Sequence, residues 1–484
     1  MALQTDGRDY TYAGLADASA RLGAALLARG LRPGDRVALF LPNGAELAMA
    51  YFGCFAAGLV AVPLNPRYQG PEVDHAVGDC APRLLIADVA RLDRLDGTRL
   101  AARGVADVFA VGSRPPAGAQ PFATLLDTPP LAAPHAVTER APAVILYTSG
   151  STGRPKGVTH THGSLRRTAE HQIVSQALGA GDVQLAWMGI AYIAAFAGQL
   201  LTALRLGGRL ALLPSFEPAA AIAAIARHGA TRLQSGPADL RDLLDHSRPP
   251  PAMLATLRCC LAGGEQIDAA LHERFAAWAG FALTEVCGMT EAYNYAMNPP
   301  FGRKRPGSIG LPTDGVELRL TAADGRDADE GEILVRSDAT AIGYWNDPAA
   351  TAATWRDGWL ITGDLARRDP DGWYWFVGRR KQIIIRGASN IAPGEVEAAL
   401  LLHPAVAAAG VVGAPDPHDG HVPVAFVQPR PGAALDVAAL RAFAAERLAA
   451  YKVPVSITVL DALPLNVNGK VDRSALAARV RVPP

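Results

Sequence analysis

Short uninterrupted apolar runs alternate with longer amphipathic runs from the first residues onward. In residues 16–29, Leu22, Ala25, Leu26 and Leu27 recur at helical spacing, and Gly30 is placed to stop the helix. Residues 36–41 (RVALFL) read as a buried strand, Asn43 and Gly44 as a turn, 45–57 as a helix packed on both sides, and 59–63 as the next strand. Buried strand, helix, buried strand predicts a parallel sheet with crossovers. Further strands are expected at 84–87, 108–111, 141–146, 210–213, 231–234 and 257–262, with helices at 217–228 and 268–279. The Pro- and Ala-rich stretch 115–134 reads as a surface connector, and 313–336 as β-rich. Beyond 382 the pattern changes to strands at 383–385, 406–412 and 422–428 with helices at 393–402 and 437–449.

The expected fold class is α/β: a large N-terminal domain of several subdomains with parallel-rich sheets (1–379), then a small α+β domain (380–484). A chain of 484 residues has ample apolar material for more than one core. Its 46 basic and 46 acidic residues leave no electrostatic footprint for nucleic acid or an anionic membrane. Five cysteines without a C-x-x-C pair fit reduced thiols, and no leader is read at the start, so a cytoplasmic location is expected. The uncharged stretches 47–66 and 183–204 are broken by Pro63 and Asn65, and by Gln184, Gly189, Gly198 and Gln199. They read as buried helices rather than membrane spans of roughly 20 apolar residues.

The chemistry starts where strand 141–146 opens into LYTSGSTGRPKG (146–157). Gly150 and Gly153 allow a close backbone approach with N–H groups turned to a ligand. Ser149, Ser151 and Thr152 add three hydroxyls, Lys156 adds a fixed positive charge, and Thr148 stands with Lys156, Glu291 and Lys470 as a candidate catalytic residue. The set suits a polyphosphate. It is not a Walker A loop, because Pro155 precedes the lysine and Gly157 follows it, so no helix starts there.

This loop resembles the phosphate loop of the adenylate-forming superfamily, which includes acyl-CoA synthetases. Four more segments match in the same order: CGMTE (287–291), WRDGWLITGDL (355–365), GWYWFVGRRK (372–381) and PLNVNGKVDR (464–473). The resemblance implies that Thr290 contacts phosphate, that Glu291 holds Mg²⁺, and that Gly288 and Met289 close the nucleotide site with Gly263, Gly264 and Glu265. Cys287 stands where the family has an aromatic residue stacked on adenine. Asp364 is implied to bind the ribose hydroxyls, Arg379 to make a second ribose or phosphate contact, and Lys381 to be the hinge of a mobile C-terminal domain. Lys470 is implied to bridge the substrate carboxylate and the α-phosphate, and Gly387 to lie in the loop that admits the pantetheine arm of CoA, beside Ala388. His162 follows the loop in the family's manner but reads as a packed or capping residue.

The reaction implied is two-step: a carboxylic acid and Mg-ATP give acyl-AMP, then CoA displaces AMP. The acid pocket is expected around Tyr192 and Phe196 in residues 187–198, with Ser235 and Gly236. The stretch 187–198 carries no carboxylate, so an α-ammonium group would be unpaired there. That leaves a fatty or aromatic acid. An adenylating ligase that passes the acyl group to an amine or a carrier-protein thiol is the alternative, kept open by Ala388 and Tyr192.

Overall fold

The computed structural model describes residues 1–5, 7–93, 95, 97–148, 155–246, 249–265, 267–386, 389–416, 419–466 and 469–480. Two compact units are present: Met1–Leu318 with Val335–Ile361, and Arg319–Leu334 with Thr362–Pro484.

The first unit is built on two large sheets. In one, the parallel strands Val60–Pro63, Arg36–Phe40, Leu84–Asp88 and Asp107–Val111 continue at one side into the hairpin Pro142–Thr148/Lys156–Thr161, with Gly343–Tyr344 added beyond it. The other runs Leu311–Pro312, Ala292–Met297, Thr284–Met289, Cys259–Gly263, Arg232–Ser235, Val183–Ala186, Arg209–Leu212, Leu3–Gln4 and Asp9–Tyr10. Its centre is parallel and its two ends antiparallel. The expected parallel sheets with crossovers are therefore present.

The main core draws on both sheets and on the helices Tyr12–Ala28 and Ala45–Ala56, with Leu22, Leu26, Leu39, Tyr51, Ala186 and Phe196 all inaccessible. The first helix begins four residues before the apolar pattern does, because Thr11 accepts the Gly14 N–H and caps it. The stretch 115–134 is not merely a surface connector. Gln120–Pro121 pairs with the sheet edge, and the 3₁₀ turn Phe122–Asp127 buries Phe122 and Leu125. Proline and alanine density concealed two core anchors.

Asn43, read as a turn residue, is buried and joins distant segments. Its Oδ1 accepts the Ile190 N–H at 2.8 Å, and its Nδ2 donates to Met188 O and Leu213 O at 3.0 Å each. All three partners lie just past the carboxyl ends of Val183–Ala186 and Arg209–Leu212. Val183–Ala186 has Arg209–Leu212 on one side and Arg232–Ser235 on the other, so the strand order reverses there. Open α/β sheets bind ligands in the crevice at such a point.

The second unit carries most of the paired strands Glu330–Arg336 and Trp359–Arg368, with Tyr374–Arg379 antiparallel to the latter, and a further sheet. In that sheet the strand Gly420–Pro429 pairs with Val406–Asp416 on one side and with Ser456–Val459 and Ile384–Arg386 on the other. The helix expected at 437–449 ends at Ala445, and the strand expected at 406–412 continues to Asp416. Among the described residues, no helix is long and apolar enough to cross a membrane.

One ion cluster of the first unit has a pH signature. His171, on the helix His162–Ser175, faces Asp338 at 2.8 Å through Nε2 and Asp314 at 3.0 Å through Nδ1. Arg167 also reaches Asp338, at 3.2 Å. Burial alone lowers the His171 pKa, but the two carboxylates outweigh it and the net shift is upward. A raised folded pKa contributes stability that is fully present below the unfolded value of about 6.5 and is lost as pH rises through the folded value. The expected outcome is that H171A lowers Tm most at about pH 5.5 and that the gap to wild type narrows above about pH 7. A gap that is constant from pH 5.5 to 8.5 means that folding does not raise the His171 pKa.

Candidate active site

The loop residues Ser149, Gly150, Ser151, Thr152 and Gly153 lie outside the described residues, as do Gly387 and Ala388. The flanks of the loop are described. Thr148 and Lys156 face one another as the last register pair of the hairpin. The helix Gly70–Cys80, which no apolar run announces, braces both flanks. The Tyr147 hydroxyl donates to Asp79 Oδ2 at 2.5 Å, and His75 Nε2 lies 2.8 Å from the Pro155 carbonyl.

Lys156 extends over the face of Tyr344, with Nζ 4.8 Å from the ring centroid. An ammonium group is attracted to such a face by the ring quadrupole. The hydroxyl of the same ring donates to Glu291 Oε1 at 2.7 Å, and burial, followed by the Glu291 charge, pushes the Tyr344 pKa upward. Tyr344 is sewn to both partners through the backbone. Trp345 N–H donates to Gly157 O at 2.7 Å, Ile342 N–H to Thr159 O at 2.9 Å, and Ala341 N–H to Glu291 O at 2.8 Å. One short strand thus joins the lysine strand to the glutamate turn.

Thr290 and Glu291 form the turn between Thr284–Met289 and Ala292–Met297. The turn is tight: a Cβ on Gly288 would stand 2.5 Å from the Asn294 nitrogen. Gly263 is equally constrained, since a Cβ there would meet the Val286 carbonyl oxygen at 2.3 Å, while Gly264 and Glu265 are exposed. Cys287 is partly exposed, and its Sγ lies 3.1 Å from the Tyr295 hydroxyl.

His160, not His162, serves this turn. His160 is fully buried, its Nε2 lies 2.8 Å from Thr290 O, and its Nδ1 faces Ser164 Oγ at 3.2 Å. A carbonyl only accepts, so the Nε2 tautomer carries the proton. Burial pulls the His160 pKa down to about 4, partly countered by the Thr290 bond, so the ring is neutral near pH 7. His162 instead packs edge-on against Phe55 at 5.5 Å.

At the reversal point of the nine-stranded sheet, Tyr192 is largely buried, and its hydroxyl donates to Asn65 Oδ1 at 2.7 Å. Burial raises its pKa to about 12, so it stays a neutral donor. Gly236, just past the strand that ends at the buried Ser235, faces open space. Phe196 is wholly buried and stacks on Tyr51 at 4.3 Å, so its ring is committed to the core. Outside the stretch 187–198, Asp239 accepts the Trp187 indole N–H at 3.1 Å.

In the second unit Asp364 is 1% exposed, and Arg379, its register partner on the next strand, brings Nε to 2.9 Å from Oδ1. Glu332 fixes the approach to Asp364. Its Oε1 accepts the Gly363 N–H at 3.1 Å, and its Oε2 accepts Arg380 Nη1 at 2.8 Å. Lys381 is exposed in the turn Arg380–Gln382. Lys470 sits in a hairpin closed by the Leu465–Val471 bridge, with its N–H donating to Asn466 Oδ1 at 3.1 Å.

The AMP-binding enzyme family matches residues 1–345, and the AMP-binding enzyme C-terminal domain matches 395–470. A feruloyl-CoA synthase of an Amycolatopsis species is 36% identical over 99% of this chain and 95% of its own length. Similar solved structures include ATP-bound MatB from Rhodopseudomonas palustris (TM-score 0.92, 30% identity, covering 99% of this chain and 95% of that one). Another is an anthranilate CoA ligase, AuaEII, in complex with anthranoyl-AMP (TM-score 0.90, 28% identity, 99% and 93%). The resemblance read from five short motifs extends over nearly the whole chain, and the protein belongs to the AMP-binding, adenylate-forming enzyme family.

Proposed function

We propose that this protein activates a carboxylic acid without an α-amino group, fatty or aromatic, to its acyl-AMP and transfers the acyl group to CoA. The observation that carries the reading is the Lys156–Tyr344–Glu291 arrangement, a cation and a carboxylate held by one ring beside the Thr290 turn. Relatives that cover almost the whole chain and carry CoA-ligase names support the second step.

In the first step a carboxylate oxygen of the acid attacks the α-phosphorus of ATP, the bond to the β-phosphate oxygen breaks, and pyrophosphate leaves. Lys156 offsets polyphosphate charge, and Thr148, Thr290 and the loop hydroxyls orient it. Asp364 accepts from the ribose hydroxyls, two acceptors for two donors. Lys470 lowers the repulsion between the incoming carboxylate and the α-phosphate. In the second step the CoA sulfur attacks the acyl carbonyl carbon, and AMP departs with the bonding electrons. Catalysis is by positioning and charge, with no protein nucleophile.

Mg²⁺ fits the donor set. Among the described residues, no group of three or more metal-ligating side chains is present, but Glu291 offers a hard carboxylate oxygen. Mg²⁺ is commonly held by one or two carboxylates together with substrate phosphates. When bound it would neutralise phosphate charge. The boundary near 379, the hinge role of Lys381 and a cytoplasmic location belong to the same proposal.

Three outcomes test it. Pyrophosphate release over a panel of benzoate, ferulate, indoleacetate and fatty acids is expected to be acid-dependent, with a thioester formed when CoA is present. Pyrophosphate without thioester under any condition shifts the acceptor to an amine or a carrier-protein thiol, and no acid-dependent release rejects adenylation. K470A is expected to lose most adenylation while ready-made acyl-AMP is still converted, so normal adenylation by K470A removes the role given to Lys470. Y344F keeps the ring under Lys156 but removes the bond to Glu291. A hydrogen bond to a charged group contributes about 1.5–3 kcal/mol, so KM for Mg-ATP should rise roughly 10- to 100-fold with Tm little changed. An unchanged KM means that Glu291 is positioned without Tyr344.

A further inference from the structure

We infer that Glu397 positions Lys470, acting through Arg473, so that an acidic residue on one helix sets the reach of the lysine assigned to adenylation. The inference rests on the proposed role of Lys470. Glu397 lies on the helix Pro393–Leu401, 76 positions from Arg473 in sequence. Arg473 Nη2 reaches both of its carboxylate oxygens, at 2.8 and 2.6 Å. The Glu397 side chain is 12% exposed, which strengthens the pair relative to a solvated one. Oε1 also accepts the Val411 N–H at 2.8 Å. Val411 belongs to the strand Val406–Asp416, which among the described residues pairs within its sheet only with Gly420–Pro429, so this N–H is on the open side of an edge strand. Glu397 therefore ties together its own helix, the sheet edge and Arg473.

Arg473 begins the short helix Arg473–Ala477, three residues past Lys470. The intervening chain has little freedom. Asp472 N–H donates to Pro464 O at 2.8 Å, Asn466 N–H to Lys470 O at 2.7 Å, and Leu465 bridges Val471. On the apolar side, Val471 and Leu476 close over Gly410, where a Cβ would meet them at 2.9 and 2.6 Å. The hairpin is thus fixed by packing on one side and by the Arg473–Glu397 pair on the other. Losing the pair leaves the hairpin packed but free to tilt about the Gly410 contact. A displacement of about 1 Å at a reacting group is enough to cost on the order of 100-fold in rate.

The competing account is that Glu397 only caps the Val411 N–H. E397Q separates the two, because its amide oxygen still accepts from Val411 while its NH₂ confronts the Arg473 donor. R473M removes the pair without touching the cap. R473K keeps the positive charge on a side chain one atom shorter, so it retains the pair only in part. The test uses the full-length protein, with ferulate or whichever panel acid turns over fastest, and the matching acyl-AMP. Adenylation is read as pyrophosphate release, thioester formation from supplied acyl-AMP is read separately, and Tm is recorded. E397Q and R473M are expected to slow adenylation by 10- to 100-fold, leave thioester formation within about two-fold, and add no further loss in a K470A background; R473K, which keeps the charge, is expected to lose less than R473M. Equal losses in both half-reactions, or losses that multiply with that of K470A, overturn the inference. Slow adenylation by K470A beside normal E397Q and R473M overturns it while sparing the role of Lys470. Normal adenylation by K470A overturns both.

Discussion

A cation and an anion that must both serve a polyphosphate are most useful when each is held by something other than its future partner. Tyr344 provides this. Its face receives Lys156 and its hydroxyl engages Glu291, so two opposite charges share one rigid aromatic support. The support is anchored by backbone bonds on both sides, to Gly157 and Thr159 of the lysine strand and to Glu291 itself. A ring held this way loses little further freedom when a ligand arrives, and preorganised charges act without reorganising at the moment of reaction. His160 extends the same logic. A histidine buried enough to remain neutral holds the Thr290 carbonyl with one fixed proton, so its bond is insensitive to pH across the range in which the acid substrate is ionised.

The fold supports this by placing both large sheets of the first unit around a common apolar core. Asn43 shows how the sheets are kept in register. One carboxamide joins the segments after two strands of the nine-stranded sheet to a turn after Phe40 of the other sheet. A buried amide with three partners costs little in desolvation, but the same group with one partner lost would be expensive.

The strands of the parallel sheets were legible because each depends on residues close in sequence, and the segments that carry Lys156, Glu291, Asp364 and Lys470 stand out for the same reason, while the roles given to those residues belong to the proposal. Apolar runs announce buried strands, and glycine beside a charge announces a loop with chemistry. The residues that hold those charges were not legible. Tyr344 meets Glu291 across 53 positions, His160 meets Thr290 across 130, and Glu332 meets Gly363 across 31. Nothing local distinguishes the tyrosine of GYW (343–345) from any aromatic on a short strand. His162 falls in the place of the family's histidine, yet it is His160, on the strand Lys156–Thr161, that reaches the glutamate turn.

The second unit repeats the division between visible charge and hidden brace. Asp364 and Arg379 are register partners on adjacent strands, so their pairing follows directly from strand alignment. The Gly363 N–H beside them is satisfied by Glu332, which also takes Arg380 one residue before Lys381. Glu397 has the same form: a mostly buried carboxylate that accepts a backbone N–H with one oxygen while binding an arginine three residues past the one assigned to adenylation. The arrangement is economical because a carboxylate has more acceptor sites than one arginine uses. The remaining capacity fixes the main chain, and a charge that fixes main chain at one end and an arginine at the other transmits position over several residues. For that reason a neutral isostere at such a place should preserve the strand and still disturb the chemistry beside it.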